Sequence, residues 1–267
     1  MNLICPICGE QLNGAGRTFS CIHGHSFDLA RQGYLHLLPV QQKHSLHPGD
    51  TRQQVLSRRE FLEGGFYSPI CQALIDTARE LGASGPILDV GCGEGYYCTR
   101  LADSMGAELV GLDISKEAVR CAAGKYKGYT WLCATAAHIP VAPHSVGLLT
   151  SLFALTLPEE FARVLRPGGY FFQVLAEQDH LLNLKRVIYD ELTFKPKDTV
   201  PEVPGFALVR SIPIRFSFTV EGTQIQNLFS MTPHLFRVGK SGLARLQALQ
   251  TLTDTASCVL NVYRLRN

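Results

Sequence analysis

The stretch Asp89-Val90-Gly91-Cys92-Gly93-Glu94-Gly95-Tyr96-Tyr97 follows an apolar run at 86–88 and precedes a helix-like segment at 98–105. Glycines at 91, 93 and 95 let the backbone turn sharply from strand to helix and leave bare peptide groups open to a ligand. The spacing is G-x-G-x-G, not the G-x-G-x-x-G of dinucleotide binders. Glu94 also sets a negative charge where a pyrophosphate would sit, so the loop points away from such a ligand. A glycine-rich turn alone fits any strand-turn-helix unit. The residues around it narrow the reading.

Roughly twenty residues on, Glu108-Leu109-Val110-Gly111-Leu112-Asp113-Ile114-Ser115 reads as a second buried strand ending in a carboxylate, the place where such folds accept hydrogen bonds from ribose hydroxyls. Ser115 suits the N-cap of a helix over 116–125. Further along, Phe161-Ala162-Arg163-Val164-Leu165-Arg166 followed by Pro167-Gly168-Gly169 and Tyr170-Phe171-Phe172 reads as a helix stopped by a turn, then a strand. These three signals in order resemble class I methyltransferases that use S-adenosyl-L-methionine (SAM), a cofactor with a sulfonium cation and no phosphate. The resemblance implies an α/β, Rossmann-like fold with a seven-stranded, mostly parallel sheet and helices on both faces. Segments 206–220 and 259–265 read as the strand pair that closes such a sheet, and 181–193 and 224–231 read as helices. Loop geometry makes Asp89, Gly91, Gly95 and Asp113 candidate cofactor residues.

A chain of 267 residues with 46% apolar content supports one large domain and a small appendage. No apolar run approaches the roughly 20 residues that span a bilayer, and the first residues lack a basic-then-apolar signal segment. The expectation is a cytoplasmic protein with no membrane partner. A net charge of +2 makes any nucleic-acid surface local rather than global. Of nine cysteines, Cys71, Cys92, Cys98, Cys121 and Cys133 lie inside the methyltransferase-like elements and read as buried thiols that pack.

The first residues differ in kind. Cys5, Cys8, Cys21 and His25 give the spacing C-x2-C-x12-C-x3-H. Thiolates two residues apart on a tight knuckle share one tetrahedral zinc, and a second pair completes the shell. A redox C-x-x-C normally opens a helix, whereas this one stands beside Pro6 and Gly9. Four protein ligands leave no open position, so the expectation is one structural zinc, with His23 an alternative to His25. The chain then divides into a zinc-binding module at 1–38, a loop and connecting helix at 39–68, and a methyltransferase domain at 69–267. Residues 41–50, with Lys43, His44 and His47, read as an exposed loop. Residues 51–63 read as a helix ending at Gly64-Gly65, with Arg58 and Arg59 as surface charges.

Several motifs carry a closer resemblance: C-P-x-C with C-x-x-x-H, F-D-x-A-x-x-G-Y-x-x-L-L-P-V-Q from Phe27 to Gln41, and P-G-D from Pro48 to Asp50. R-R-x-F-L-x-x-G-x-Y-x-P from Arg58 to Pro69, the glycine loop, and M-T-P at Met231 to Pro233 complete the set. Together they resemble the RlmA-type methyltransferases, which modify N1 of a guanosine in a 23S rRNA hairpin. The resemblance implies zinc ligands Cys5, Cys8, Cys21 and His25, and SAM contacts from Tyr67, Gly93, Glu94 and His180. It implies a 23S rRNA partner, and a homodimer is the expected assembly. Two positions depart from the family pattern. Leu155 replaces a proline after Phe153-Ala154, and Gly147 stands where relatives tend to carry an acid. Phe153 is the candidate for stacking on the target base. Two other function classes are a small-molecule SAM methyltransferase, against which the zinc segment argues, and a non-catalytic RNA-binding relative.

Overall fold

Short apolar runs punctuated by glycine set the frame of the chain. A computed structural model describes residues 1–42, 48–192 and 196–266, so the loop reading at Lys43, His44 and His47 and the helix reading at Thr193 lie outside the described residues. Strands β1 (Asn13–Ala15), β2 (Thr18–Ser20) and β3 (Ser26–Asp28) form a small antiparallel sheet in sequence order. Strand β4 (Tyr34–His36) follows, then helices α1 (Arg52–Glu63) and α2 (Ser68–Glu80). The α1 start is held by a capping box between Thr51 and Gln54, and Gly64 caps its end.

Alternation then takes over: β5 (Ile87–Val90), α3 (Tyr96–Met105), β6 (Leu109–Asp113), α4 (Lys116–Lys125) and β7 (Thr130–Cys133). Next come β8 (Val146–Leu152), α5 (Pro158–Val164), β9 (Leu165–Ala176), α6 (Leu182–Ile188), β10 (Phe206–Glu221), α7 (Thr223–Ser230), α8 (Lys240–Ala248) and β11 (Thr251–Leu265). Ser115 does cap α4, accepting from the Ala118 N–H at 3.2 Å. Strand β9 starts directly after α5, so Pro167-Gly168-Gly169 lies inside the strand, where the register against β8 shifts.

The main sheet has eight strands in the order β10-β11-β9-β8-β5-β6-β7-β4, mostly parallel, with β10 and β11 antiparallel. The expected count of seven is corrected by β4, which pairs parallel with β7 through Tyr34 and Trp131. Tyr34 and Leu35 are buried there, so a three-residue strand leaves the N-terminal segment to cover the open sheet edge. Strand β11 begins earlier than expected because its partner β10 is long; the pair stays in register from Phe206–Leu265 to Glu221–Thr251 with one irregularity near Leu208.

Two apolar layers flank the sheet. Phe61, Ile70, Leu74, Trp131 and Phe172 belong to one. Leu88, Val110, Leu149, Phe161 and Phe171 belong to the other, which also takes in Leu3, Leu12 and Cys21 from the N-terminal segment. The first residues are stitched to the large sheet as well: Leu3 bridges Val141, and the Ile4 N–H donates to the Pro140 carbonyl at 3.1 Å. The small sheet and the large one thus share a core. No helix among the described residues is long and apolar enough to cross a membrane.

Candidate active site

Parallel strands of an open α/β sheet leave a crevice at their carboxyl ends, where the order reverses. Here a cleft of about 1470 Å³ opens above the ends of β5, β6, β8 and β9. An ordinary small-molecule site occupies about 300–1,000 Å³, so this one has room for a cofactor and a second ligand.

The loop after β5 forms one wall. Gly91, Gly93 and Gly95 have φ of 81°, 56° and 91°, a region that side chains disfavour. A Cβ at Gly91 would lie 2.7 Å from that of Ala154 across the cleft, whereas one at Gly93 meets nothing. Both line the cleft. Gly95 does not: it turns the chain into α3 and backs onto Trp131, which a Cβ would approach to 2.7 Å.

Three carboxylates meet this loop in different states. Asp113 accepts from the Gly93 N–H at 2.9 Å and the Ser115 N–H at 2.8 Å, so it ties the β5 loop to the end of β6. Asp89 is buried and accepts the Thr150 hydroxyl at 2.6 Å; burial lifts its pKa to about 6. Glu94 is 2% exposed, and neither of its oxygens makes a full hydrogen bond. Burial lifts it to about 7, while Arg59, Arg100, Arg58 and the nearby Tyr96 N–H draw it down. A buried carboxylate without partners is costly, and a ligand rich in N–H or O–H donors relieves it. SAM, with its ribose hydroxyls and ammonium group, is such a ligand, so the residues present fit it.

Across the cleft, the buried Tyr67 hydroxyl lies 3.2 Å from His180 Nε2. His180 Nδ1 accepts the Ser257 N–H at 3.1 Å, which places the ring proton on Nε2 as donor to Tyr67. Burial holds His180 down at about 4, so the ring is neutral near pH 7. Phe153 follows β8 with φ of 54°, a strained conformation for a bulky residue, and its ring centroid lies 6.1 Å from that of His180. It is 42% exposed within the cleft, with Leu155 beside it at the mouth.

Of the family departures, Leu155 therefore touches the cleft and Gly147 does not. Gly147 sits at the opposite end of β8, where any Cβ would run into the Ser84 carbonyl oxygen. Its missing side chain is a requirement of backbone packing.

The sequence reading missed a strap over the cofactor side. Gly49 packs so close to Ser115 that a Cβ would lie 2.9 Å from its backbone nitrogen. The Ser115 hydroxyl donates to the Asp50 carbonyl at 2.7 Å, and the Asp50 carboxylate pairs with Arg58. Arg58, expected on the surface, lines the cleft. The P-G-D motif was the available signal, because a glycine beside an acid marks a close approach.

The second cluster shares no residue with the cleft lining. Ligand atoms of Cys5, Cys8, Cys21 and His25 all lie within 4.8 Å of one another. Cys8 and Cys21 sulfurs are 3.6 Å apart, and His25 Nδ1 lies 3.5 Å from Cys5 Sγ and 3.4 Å from Cys21 Sγ. Tetrahedral bonds of about 2.3 Å to sulfur and about 2.05 Å to nitrogen require edges of roughly 3.5 to 3.8 Å, so the four fit zinc. Gly9 and Gly24, with φ of 78° and 80°, close the two knuckles by donating to the Cys5 and Cys21 carbonyls. His23 is exposed and stands outside the cluster.

Comparison with known proteins matches both parts. A family described as "RlmA, N-terminal" covers residues 3–46, and one described as "Methyltransferase domain" covers residues 88–173. The 23S rRNA (guanine(748)-N(1))-methyltransferase of Streptomyces fradiae is 37% identical over 187 residues, 68% of this chain and 66% of that protein. A protein of Micromonospora griseorubida provisionally named 23S rRNA (guanine-N(1)-)-methyltransferase is 34% identical over 204 residues, 68% of each chain. A Bacillus subtilis (strain 168) protein with the same provisional activity is 27% identical over 266 residues, 94% of this chain and 93% of that one. This chain thus spans about two thirds of the length of the first two relatives. With an RlmA-type zinc ribbon and a SAM-dependent methyltransferase domain joined by one core, and relatives 34–37% identical, the chain belongs to the RlmA-type methyltransferase family.

Proposed function

We propose that this protein transfers a methyl group from SAM to N1 of a guanosine in a 23S rRNA hairpin, acting in the cytoplasm as a homodimer. The observation that carries the reading is the zinc ribbon stitched onto a SAM-type cleft in a chain whose relatives are named for that activity. A small metabolite needs no added recognition module. An RNA base in a stem, by contrast, has to be held by its backbone while it is presented or extruded. Residues 1–38 serve as the RNA-guiding zinc module, 39–68 as the connecting strap, and 69–267 as the catalytic domain.

Bound SAM supplies a methyl group on a sulfonium leaving group. The chain's own residues hold and exclude. Gly91 and Gly93 leave the space, the Glu94 carboxylate accepts from the ligand's donors, and Asp113 keeps the loop in register. Asp89 lines the cleft at the start of the loop and is held by Thr150, and Gly95 supports the loop from behind against Trp131. Tyr67, oriented by His180, faces the ligand from the opposite wall. Phe153 offers its exposed face for stacking on the guanine, which brings N1 within reach of the methyl group. Cys5, Cys8, Cys21 and His25 hold the structural zinc. The test is primer extension on 23S rRNA from cells with and without the protein. A methyl on N1 blocks Watson–Crick pairing, so a reverse-transcriptase stop at one guanosine, present only with the protein, is expected. Identical extension patterns would refute the proposal.

A further inference from the structure

Methylation at guanine N1 requires the loss of its proton, and therefore an acceptor on the base-binding side of the cleft. The carboxylates lining the cleft among the described residues are Asp50, Asp89, Glu94, Asp113, Glu177 and Glu191. Asp50 is paired with Arg58, and Asp89, Glu94 and Asp113 belong to the cofactor loop over β5 and β6. Glu191 is exposed. Glu177 stands immediately after β9, beside the Phe153 loop that follows β8, and the Phe153 N–H donates to the Val174 carbonyl of the same strand at 2.9 Å. Both imidazole nitrogens of His180 are engaged, by Ser257 and Tyr67.

Glu177 is also held in place. Its Oε2 accepts the Ser257 hydroxyl at 2.7 Å, and its backbone N–H donates to the Ser257 carbonyl at 2.9 Å. Its backbone carbonyl accepts the His180 N–H at 3.2 Å, so the turn that carries Glu177 also carries the ring facing Phe153. Ser257, whose hydroxyl oxygen in turn accepts from Arg215 Nη1 at 2.9 Å, anchors Oε2. Charged and titratable groups around the turn are His180, Lys185, Lys197, Cys258 and the Asp179–Arg215 pair. Lys185 and Lys197 donate to the carbonyls of Gln178 and Ala176.

We propose that the Glu177 carboxylate reads the Watson–Crick edge of the target guanine and removes its N1 proton. This assignment rests on the guanine-N1 reading above. An ionised carboxylate only accepts hydrogen bonds, and guanine offers it two adjacent donors, N1–H and the 2-amino group. Adenine presents a lone pair at N1 and is repelled, so one group both selects the base and activates it. The N1 proton moves to Oε1, leaving its electron pair on guanine, delocalised onto O6. That pair forms the new N–C bond as the methyl carbon's bond to sulfur breaks and its electrons stay on sulfur. Glu177 then returns the proton to solvent.

The test is single-turnover formation of 1-methylguanosine on unmodified 23S rRNA by the full-length protein, across pH, with SAM affinity measured by calorimetry. E177Q keeps the side-chain shape and an oxygen for the Ser257 hydroxyl. A rate loss of about 10²- to 10⁴-fold near neutral pH is expected, the span of general-base effects, with SAM affinity within twofold of wild type. The loss should shrink in alkaline buffer, where guanine N1 ionises unaided, a rescue that a merely structural defect does not give. H234N removes the other cleft histidine, which pairs with Tyr189, and should show no alkaline rescue. An E177Q rate within threefold of wild type, a loss equal at every pH, or rescue in H234N alone would overturn the assignment. Absence of 1-methylguanosine from the wild-type reaction would overturn the underlying reading together with it.

Discussion

Replacing Glu94 with glutamine separates the cost of the cofactor site from its use. An ordinary glutamate titrates at 4.5, and burial in the loop lifts Glu94 to about 7. The folded chain therefore holds this proton more tightly than the unfolded one. Stability that is fully present below 4.5 is lost as pH rises through 7, because the buried carboxylate has to ionise without partners. At about 1.4 kcal/mol for each pH unit, the ligand-free protein loses about 3 kcal/mol by about pH 8. E94Q carries no such charge, so its unfolding free energy should lack that fall, and its melting temperature at about pH 8 should exceed wild type by roughly 5–10 °C. SAM binding should move the opposite way. A hydrogen bond to a charged group contributes about 1.5–3 kcal/mol, so E94Q should bind SAM roughly 10- to 150-fold more weakly. Wild-type affinity should also weaken about tenfold per pH unit below 7, and E94Q affinity should not. Thermal melts across pH and calorimetric titration read both arms. An E94Q protein with wild-type SAM affinity and a wild-type pH slope in stability would refute the reasoning.

Cys8→Ser should lower zinc from one ion per chain and reduce thermal stability, because Leu3, Leu12 and Cys21 share a core with the large sheet. Metal analysis of the purified variant checks this, and full occupancy would remove Cys8 from the ligand set. Gly147→Asp, which introduces the acid expected from the family resemblance, should leave SAM affinity no better. It should destabilise by about 1–3 kcal/mol through the clash with the Ser84 carbonyl, measured by urea unfolding. An increase in activity with unchanged stability would contradict the placement of Gly147 away from the cleft.

Much of the cofactor side was legible because its signals are local. A glycine loop, a carboxylate at a strand end and an N-cap serine each lie within a few residues of the structure they specify. Whether each glycine faces the ligand was not legible, since Gly95 is claimed by Trp131, a residue on β7, two strands after β5. Strand β4 is too short for periodicity to reveal; it exists because the sheet has an edge to cover. Spacing favoured His25 but left His23 as an alternative, and only the grouping of ligand atoms in the fold separates them. The base side was the least legible. Glu177 belongs to no motif along the chain, and its partner is assembled by the fold: Ser257 lies 80 residues away. The family departure at Gly147 looked functional in sequence and is steric in structure.

The most direct measurement of the central claim is methyl transfer from labelled SAM to 23S rRNA lacking the modification, followed by digestion to nucleosides. Label in 1-methylguanosine alone, at one mole per mole of rRNA, is the predicted result. Label in a small metabolite, in another nucleoside, or in no product despite measurable SAM binding would contradict it.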